Sequence, residues 1–314
     1  MTETVVRCWH TPPREEHVWT DVRTGSGPGS AGNGAELALV QPAATHPRPA
    51  VGRLVDPTLF LRMAEIGDNP VDIKMFADEH GNLCEEPLLT TDEPPGQVVG
   101  CTLAAWRRAL APLQRAVGLW RLAQDGDAAR LRSHLRPVAG SRHRVRFVSH
   151  PRRPPHLPLG CESFEKVYDV PAAGRRGRFD PVAAARYVAA VAVQDALAGA
   201  GLQIGAEWDA AAGKLVAAVY ALSLDDAAWY QAADACWRDR VFRRCRWCFL
   251  DFDVSAGASR TDRRFCSDAC RLRAFRGRKE EARRRHTAGE SVKAIAAALD
   301  ADVAAVRRWV GEGS

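Results

Sequence analysis

Four cysteines constrain this chain more than any other feature. Cys245-Arg-Trp-Cys248 is followed, 17 residues later, by Phe265-Cys266-Ser-Asp-Ala-Cys270. A CxxC turn lets two thiolates converge on one ion. Cys266 and Cys270 are four apart, so on the first turn of a helix both sulfurs lie on one face. Ser267 or Asp268 can cap that helix. Four soft sulfur donors at such spacing select Zn2+ in a closed structural site with no open position for chemistry. The expectation is one structural Zn2+ held by Cys245, Cys248, Cys266 and Cys270. The implied shape is a treble clef: a knuckle, a short hairpin, then a helix carrying the second pair. Four buried free thiols would reach this spacing only by accident.

Charge points the same way. The chain carries a formal +6, unevenly placed. Between Arg240 and His286 stand 15 Lys and Arg against 6 Asp and Glu, while the remainder is slightly acidic. Concentrated positive charge is the electrostatic footprint of a nucleic-acid binder. The competing reading is a solvated helix face. After Cys270, Arg271 to Arg285 reads as a basic helix, with Arg271, Arg273, Arg276, Arg278, Lys279 and Arg283 as candidate DNA contacts. Leu272 and Phe275 are left to pack on the zinc hairpin, and Gly277 is a point of interruption.

A second signal follows. Ala288-Gly289 turns, Ser291 caps Val292 to Leu299, Asp300-Ala301 turns again, and Asp302 caps Val303 to Val310. Two short helices with Ile295, Leu299, Val306, Trp309 and Val310 inside form a helix-turn-helix pattern. The second helix would expose Asp302, Val303, Ala304, Arg307 and Arg308, of which Arg307 and Arg308 can reach phosphate or guanine. The alternative is a small helical cap on the zinc module.

Upstream, the expected fold class is mainly α with a small β component. Residues 1–50 are rich in Pro and Gly and read as a disordered leader or linker. Cys8, His10 and His17 lack metal-ligand spacing. Residues 51–240 read as a mostly helical domain that senses an effector or dimerises. Helix starts fall at Asp56-Pro57 (with Leu59, Phe60, Met63 and Ile66 inward) and at Pro70 (with Val71, Met75 and Phe76 inward). Cys84 to Gly100 reads as a loop. Thr102 caps a longer helix with Trp106, Leu110, Leu113, Val117 and Trp120 as core, which Pro112 should kink. Asp127 opens a shorter helix, and Arg144 to Val148 alternates like a strand. The arginines at 142, 144, 146, 152 and 153 read as a solvated strand edge before they read as a phosphate site. Asp180-Pro181 starts an alanine-rich helix, and Trp208 to Leu222 forms a hairpin. Asp225-Asp226 caps a helix with Trp229, Ala233, Cys236 and Trp237 facing a core. Residues 241–280 hold the zinc module and 281–314 the helix-turn-helix.

The pattern of a helical region, a hairpin and helix, then CxxC and Phe265-Cys266-Ser-Asp-Ala-Cys270 before a basic helix resembles the bacterial CGNR zinc-finger proteins with an ABATE-type N-terminal domain. The resemblance implies a stress-related transcription regulator. It is specific across Cys245 to Arg273, where that family reads Cys-Gly-Asn-Arg and this chain reads Cys270-Arg-Leu-Arg273. The short motif is also similar to treble-clef fingers of the gyrase-inhibitor type, which act through protein contacts. The tail from Ala282 to Val310 resembles the helix-turn-helix of resolvases, which implies DNA binding.

The expected function is therefore a DNA-binding transcriptional regulator, with a zinc-stabilised protein-interaction module as the alternative. No enzyme is expected: there is no Gly-rich phosphate loop, GxSxG or HExxH, and His286 is the only histidine after His156. No apolar run nears the ~18 residues of a membrane span, so no membrane partner is expected. Met1 to His10 lacks signal-peptide order, and the five remaining cysteines are scattered singly. A cytoplasmic, nucleoid-associated location follows as the expectation.

Overall fold

The computed structural model describes residues 5–8, 18–23, 35–41, 53–54, 56–67, 69–83, 86–90, 97–141, 143–149, 164–170, 179–209, 213–255 and 262–311. Among these, helix predominates and the strands gather into small sheets. The elements run β1 (Val5–Cys8), β2 (Val18–Arg23), β3 (Ala35–Gln41), β4 (Arg53–Leu54), α1 (Leu59–Glu65), α2 (Pro70–His80), β5 (Glu86–Thr90) and β6 (Gln97–Thr102). Then come α3 (Leu103–Gln124), α4 (Ala128–His134), β7 (Leu135–Pro137), β8 (Arg144–Ser149), β9 (Phe164–Asp169), α5 (Pro181–Ala198), β10 (Leu202–Asp209), β11 (Lys214–Ala221) and α6 (Leu224–Trp237). The chain ends with β12 (Phe242–Arg244), β13 (Asp251–Asp253), α7 (Asp268–Thr287), α8 (Val292–Ala298) and α9 (Val303–Val310). Two compact units divide at Arg238 and Asp239.

In the first unit α3 is the central helix, packed against α1, α4, α5 and α6. Its predicted face is the core: Trp106, Leu110, Leu113, Val117 and Trp120 are all buried. Thr102 caps it by accepting from the Ala105 N–H at 3.1 Å, and the helix runs through Pro112 without a break. Trp106 meets Phe76 edge-on at 6.1 Å, and Trp120 meets Phe60 at the same separation. The buried Gln231 of α6 clasps the start of α1. Its Nε2 donates to the Asp56 carbonyl at 2.7 Å, and its Oε1 accepts from the Phe60 N–H at 3.3 Å. Buried polar groups must be matched in this way, because an unmade bond keeps the full desolvation cost.

Three sheets complete the unit. β10, β11, β1 and β4 form one, antiparallel except for the parallel pair β1–β11. β2, β3, β6 and β5 close into a small barrel, and β7, β8 and β9 form a meander. In β8 burial alternates, with Val145 and Phe147 inward. Arg144 and Arg146 face outward to Asp169 and Glu165, at 3.7 and 3.2 Å. The arginines are solvated as expected, but on the outer face of a central strand and not at an edge, since β8 lies between β7 and β9; positions 142, 152 and 153 lie outside the described residues.

Several expectations are corrected. The supposed leader contains β1, β2 and β3: β1 pairs with β11 and β3 with β6, both distant in sequence, while β2 pairs with its neighbour β3 and with the distant β5. Short strands set among Pro and Gly carry little local signal, because much of their order comes from such partners. The expected loop Cys84 to Gly100 holds β5 and part of β6, which pair with each other as well as with β2 and β3. Val71 and Met75 are exposed, whereas Ile73 and Phe76 are the inward residues of α2. Trp237 is exposed as well, since α6 ends there. Ser223, and not the aspartate pair, is the N-cap of α6, in a capping box with Asp226. Asp56 accepts from the Thr58 N–H and hydroxyl just ahead of α1, whose cap is Thr58. Cys101, read as a single thiol, is disulfide-bonded; sequence spacing does not report which thiols a fold brings together. Cys236 forms no disulfide; it is half-buried and apart from the quartet.

Asp225 in the first turn of α6 gives a measurable consequence. Burial, with the nearby Asp226 charge, outweighs the Trp229 N–H and raises its carboxyl to about 7. In the unfolded chain an aspartate titrates near ~3.9. The native state therefore binds more protons between these values, and stability falls as pH rises through them. Urea melts at about pH 5 and about pH 9 should show Asp225→Asn with a smaller loss of stability over that interval than the wild type, by up to a few kcal/mol.

Candidate metal centre

The second unit is built around a hairpin tip. β12 and β13 pair antiparallel, with Phe242 opposite Asp253 and Arg244 opposite Asp251. The turn between them carries Cys245 and Cys248. The Cys245 N–H donates to the Leu250 carbonyl at 2.9 Å, and the Phe249 N–H donates back to the Cys245 carbonyl at 3.1 Å. Phe249 takes the left-handed conformation, with φ 60°, to close this knuckle. The first cysteine pair thus sits at the tip of the hairpin, where the sequence reading had placed the knuckle ahead of it.

The second pair arrives on α7. Ser267, one of the two candidate caps, accepts from the Cys270 N–H at 3.2 Å. Cys266 precedes the helix and Cys270 lies in its first turn. Arg246 N–H donates to the Arg264 carbonyl, tying the approach segment to the knuckle. Arg263 donates to the Cys266 carbonyl at 2.6 Å, and its guanidinium lies 5.5 Å from the Phe252 ring centre. Arg240 pairs with Asp253, and Arg244 donates to the Phe249 carbonyl. Much of the basic charge before Cys266 therefore holds the hairpin together.

These elements bring the four sulfurs of Cys245, Cys248, Cys266 and Cys270 within 4.8 Å of one another. Cys248 and Cys266 sulfurs are 3.6 Å apart, and Cys266 and Cys270 3.4 Å. Thiolates around a tetrahedral ion at ~2.3 Å stand about 3.8 Å apart, so the set could hold a single metal ion. Cys245 and Cys270 are buried against Phe252 and Val254. Burial opposes ionisation of Cys245, but backbone N–H groups of Cys248, Cys266 and Trp247 outweigh it and bring that thiol to about 6. The Cys266 N–H approaches its sulfur at 3.4 Å. Burial and the adjoining thiols push Cys266 up to about 12, and burial raises Cys248 too. Crowded thiols resist sharing one site as anions; a cation at their centre reverses that.

Trp247, between the two knuckle cysteines, reaches α7. A Cβ added at Gly277 would lie 3.1 Å from Trp247 Cζ3, closer than such atoms ordinarily approach, so the glycine gives the indole room against the helix. Gly277 does not interrupt α7, which runs unbroken to Thr287. A mid-helix glycine was the available sequence signal for this close approach. Phe275 turns away from the hairpin and meets Trp309 edge-on at 5.6 Å, and Leu272 is exposed. The expected boundary at 280 and 281 falls inside α7, because one helix serves both ends of the unit.

The last two helices pack on α7. Ser291 and Asp302 cap α8 and α9 as the sequence indicates. Ala282, Ile295, Ala296 and Val306 form a buried cluster, with Leu299, Trp309 and Val310 packed around it. Val303 belongs to this cluster and is only partly exposed. Arg283 donates from Nε to the Trp309 carbonyl at 2.9 Å, satisfying the C-terminal end of α9.

The candidate DNA contacts divide accordingly. Arg271 pairs with Asp268 at 3.2 Å, and Arg283 is engaged as described. Arg273, Arg276, Arg278, Lys279, Arg307 and Arg308 have no acidic partner among the described residues. Arg273, Arg276 and Arg283 stand three and seven apart and form one exposed row along α7. Arg307 and Arg308 are exposed on α9. Neighbouring Arg284 and Arg285 are tied to Glu281, whose carboxyl their hydrogen bonds hold at about 2.

No protein family model, curated protein or solved structure matches the chain. Among the described residues no helix is long and apolar enough to cross a membrane.

The quartet is open to a direct test. Cobalt(II) titrated into reduced, metal-stripped protein should bind one equivalent with the visible absorption of a tetrahedral thiolate site. Cys248→Ala should lose that spectrum and Cys236→Ala should keep it.

Proposed function

We propose that this protein is a zinc-stabilised DNA-binding transcriptional regulator. Zn2+ at Cys245, Cys248, Cys266 and Cys270 is structural, because all four donors are thiolates and no position remains for a reacting water. The hairpin offers few apolar side chains besides Phe252 and Val254 to order it. A small module with so slight a core depends on a cross-link. The reading accords with the resemblance to CGNR-type zinc-finger regulators and to the resolvase-type helix-turn-helix.

The observation that carries DNA binding is a set of exposed arginines without an acidic partner among the described residues. Arg273 and Arg276 on α7, with Arg307 and Arg308 on α9, hold their charge in solvent with no acid to neutralise it. Phosphates supply that neutralisation and release counterions. Arg271, Arg278, Lys279 and Arg283 add to the field. α9 is the recognition helix in this scheme, and its small Ala304 leaves base readout to the arginines. The protein acts in the cytoplasm at the nucleoid, and the N-terminal unit senses an effector or dimerises. No catalytic step is assigned to it.

The expected result is duplex binding whose logarithm falls linearly with the logarithm of salt concentration. Arg273→Ala with Arg276→Ala should lower that slope by about 2. Absence of binding to any duplex at low salt defeats the proposal.

A second reading has its own support. Trp247, Phe249, Leu250, Leu272 and Phe275 leave considerable apolar surface exposed in the same unit. A protein partner docked there would survive Arg307→Ala and Arg308→Ala in a pull-down, whereas a DNA-bridged partner would not.

A further inference from the structure

A cavity of about 360 Å3 lies in the N-terminal unit, walled by α3, α5, α6, β8 and β9. That is within the size range of small-ligand pockets. Its wall is largely apolar and aromatic: Leu119, Phe147, Phe164, Tyr168, Val188 and Trp229.

Two acceptors on this wall are short of donors. Asp225 Oδ1 is buried and has no hydrogen-bond partner among the described residues. The Trp229 indole N–H is the hydrogen bond that this carboxyl receives. On α3, Pro112 has no N–H to give to the carbonyl of Arg108, one turn back, and both residues line the cavity.

The cations around the cavity do not meet this need. Arg115 lies over the Phe164 ring, 4.1 Å from its centre. Lys166 sits 3.5 Å from Asp195 and 5.0 Å from the Tyr168 ring centre. Arg115 and Lys166 are thus each held by a ring or an acid of the wall, the third cation on it, Arg108, is exposed, and none of the three bonds Asp225 Oδ1. A buried acceptor against apolar surface is favourable only when a donor arrives with a body that can replace water.

We propose that this cavity binds a small primary amine with an aromatic or aliphatic body. The ammonium donates to Asp225, and the body fills the space between Phe147, Phe164, Tyr168 and Trp229. The ammonium converts the buried carboxyl to its ionised form and supplies the missing partner. Burial and Asp226, which hold that carboxyl at about 7 in the free protein, are then offset by a direct ion pair. The inference stands apart from the metal centre and from nucleic-acid binding, since it concerns the other unit.

The test is calorimetry on the full chain with 3-phenylpropylamine and 3-phenylpropionate as probes. Saturable binding of the amine, with none of the carboxylate, is expected. Asp225→Asn should weaken amine binding at least about tenfold and leave the protein as stable or more so. Ala192→Phe, on the α5 wall, should abolish binding by filling the space while Asp225 stays in place. Failure of the amine to bind the wild type overturns the proposal. So does carboxylate binding as tight as the amine's, or amine binding unchanged in both variants.

Discussion

The second unit depends on bringing four sulfur atoms from two distant stretches of chain to one point. Everything local to them serves that convergence. A left-handed Phe249 closes the knuckle, Ser267 starts the helix on the right residue, and Arg263 holds the intervening carbonyl. Sulfurs less than 4 Å apart in two of their pairs, in a shell with few apolar residues, are unfavourable company without a cation among them. With one, they become the strongest constraint in a short segment. The interaction therefore explains both the geometry and the scarcity of conventional core.

The helix that follows inherits its position from this point. α7 begins at the second cysteine pair, is overlaid by Trp247 at Gly277, and packs against Trp309 and the small cluster under α8 and α9. Its arginines are of two kinds. Some are bonded to a carbonyl or a glutamate, as Arg283, Arg284 and Arg285 are. Others, Arg273 and Arg276, are exposed without an acidic partner among the described residues. The distinction gives the charge surplus a direction that composition alone does not contain.

What the residues made legible followed the range of the interaction. The quartet, the caps Thr102, Asp127, Asp180, Ser291 and Asp302, and the tryptophan face of α3 all rest on spacings of a few residues, and all were readable. β1 was not, because its partner β11 is some two hundred residues away. Nor was the exposure of Val71 and Met75, which a helical period permits on either edge of the apolar stripe. The cavity around Asp225 joins five elements, and no local pattern announces it. Pro112, set inside a long continuous helix, lies on the cavity wall.

The glycine under Trp247 has a mechanical consequence. A helix of 20 residues is about 30 Å long. If it were fixed only at its first turn, a tilt of about ten degrees would swing its far end by about 5 Å, close to one helical pitch. Seating the indole at Gly277, nearly halfway along, gives α7 a second bearing separated from the first by about two turns. A shaft held in two bearings keeps its angle where one held at its tip does not. The aim of α9, carried at the far end, is thereby set by a contact with no charge, no hydrogen bond and no ligand in it.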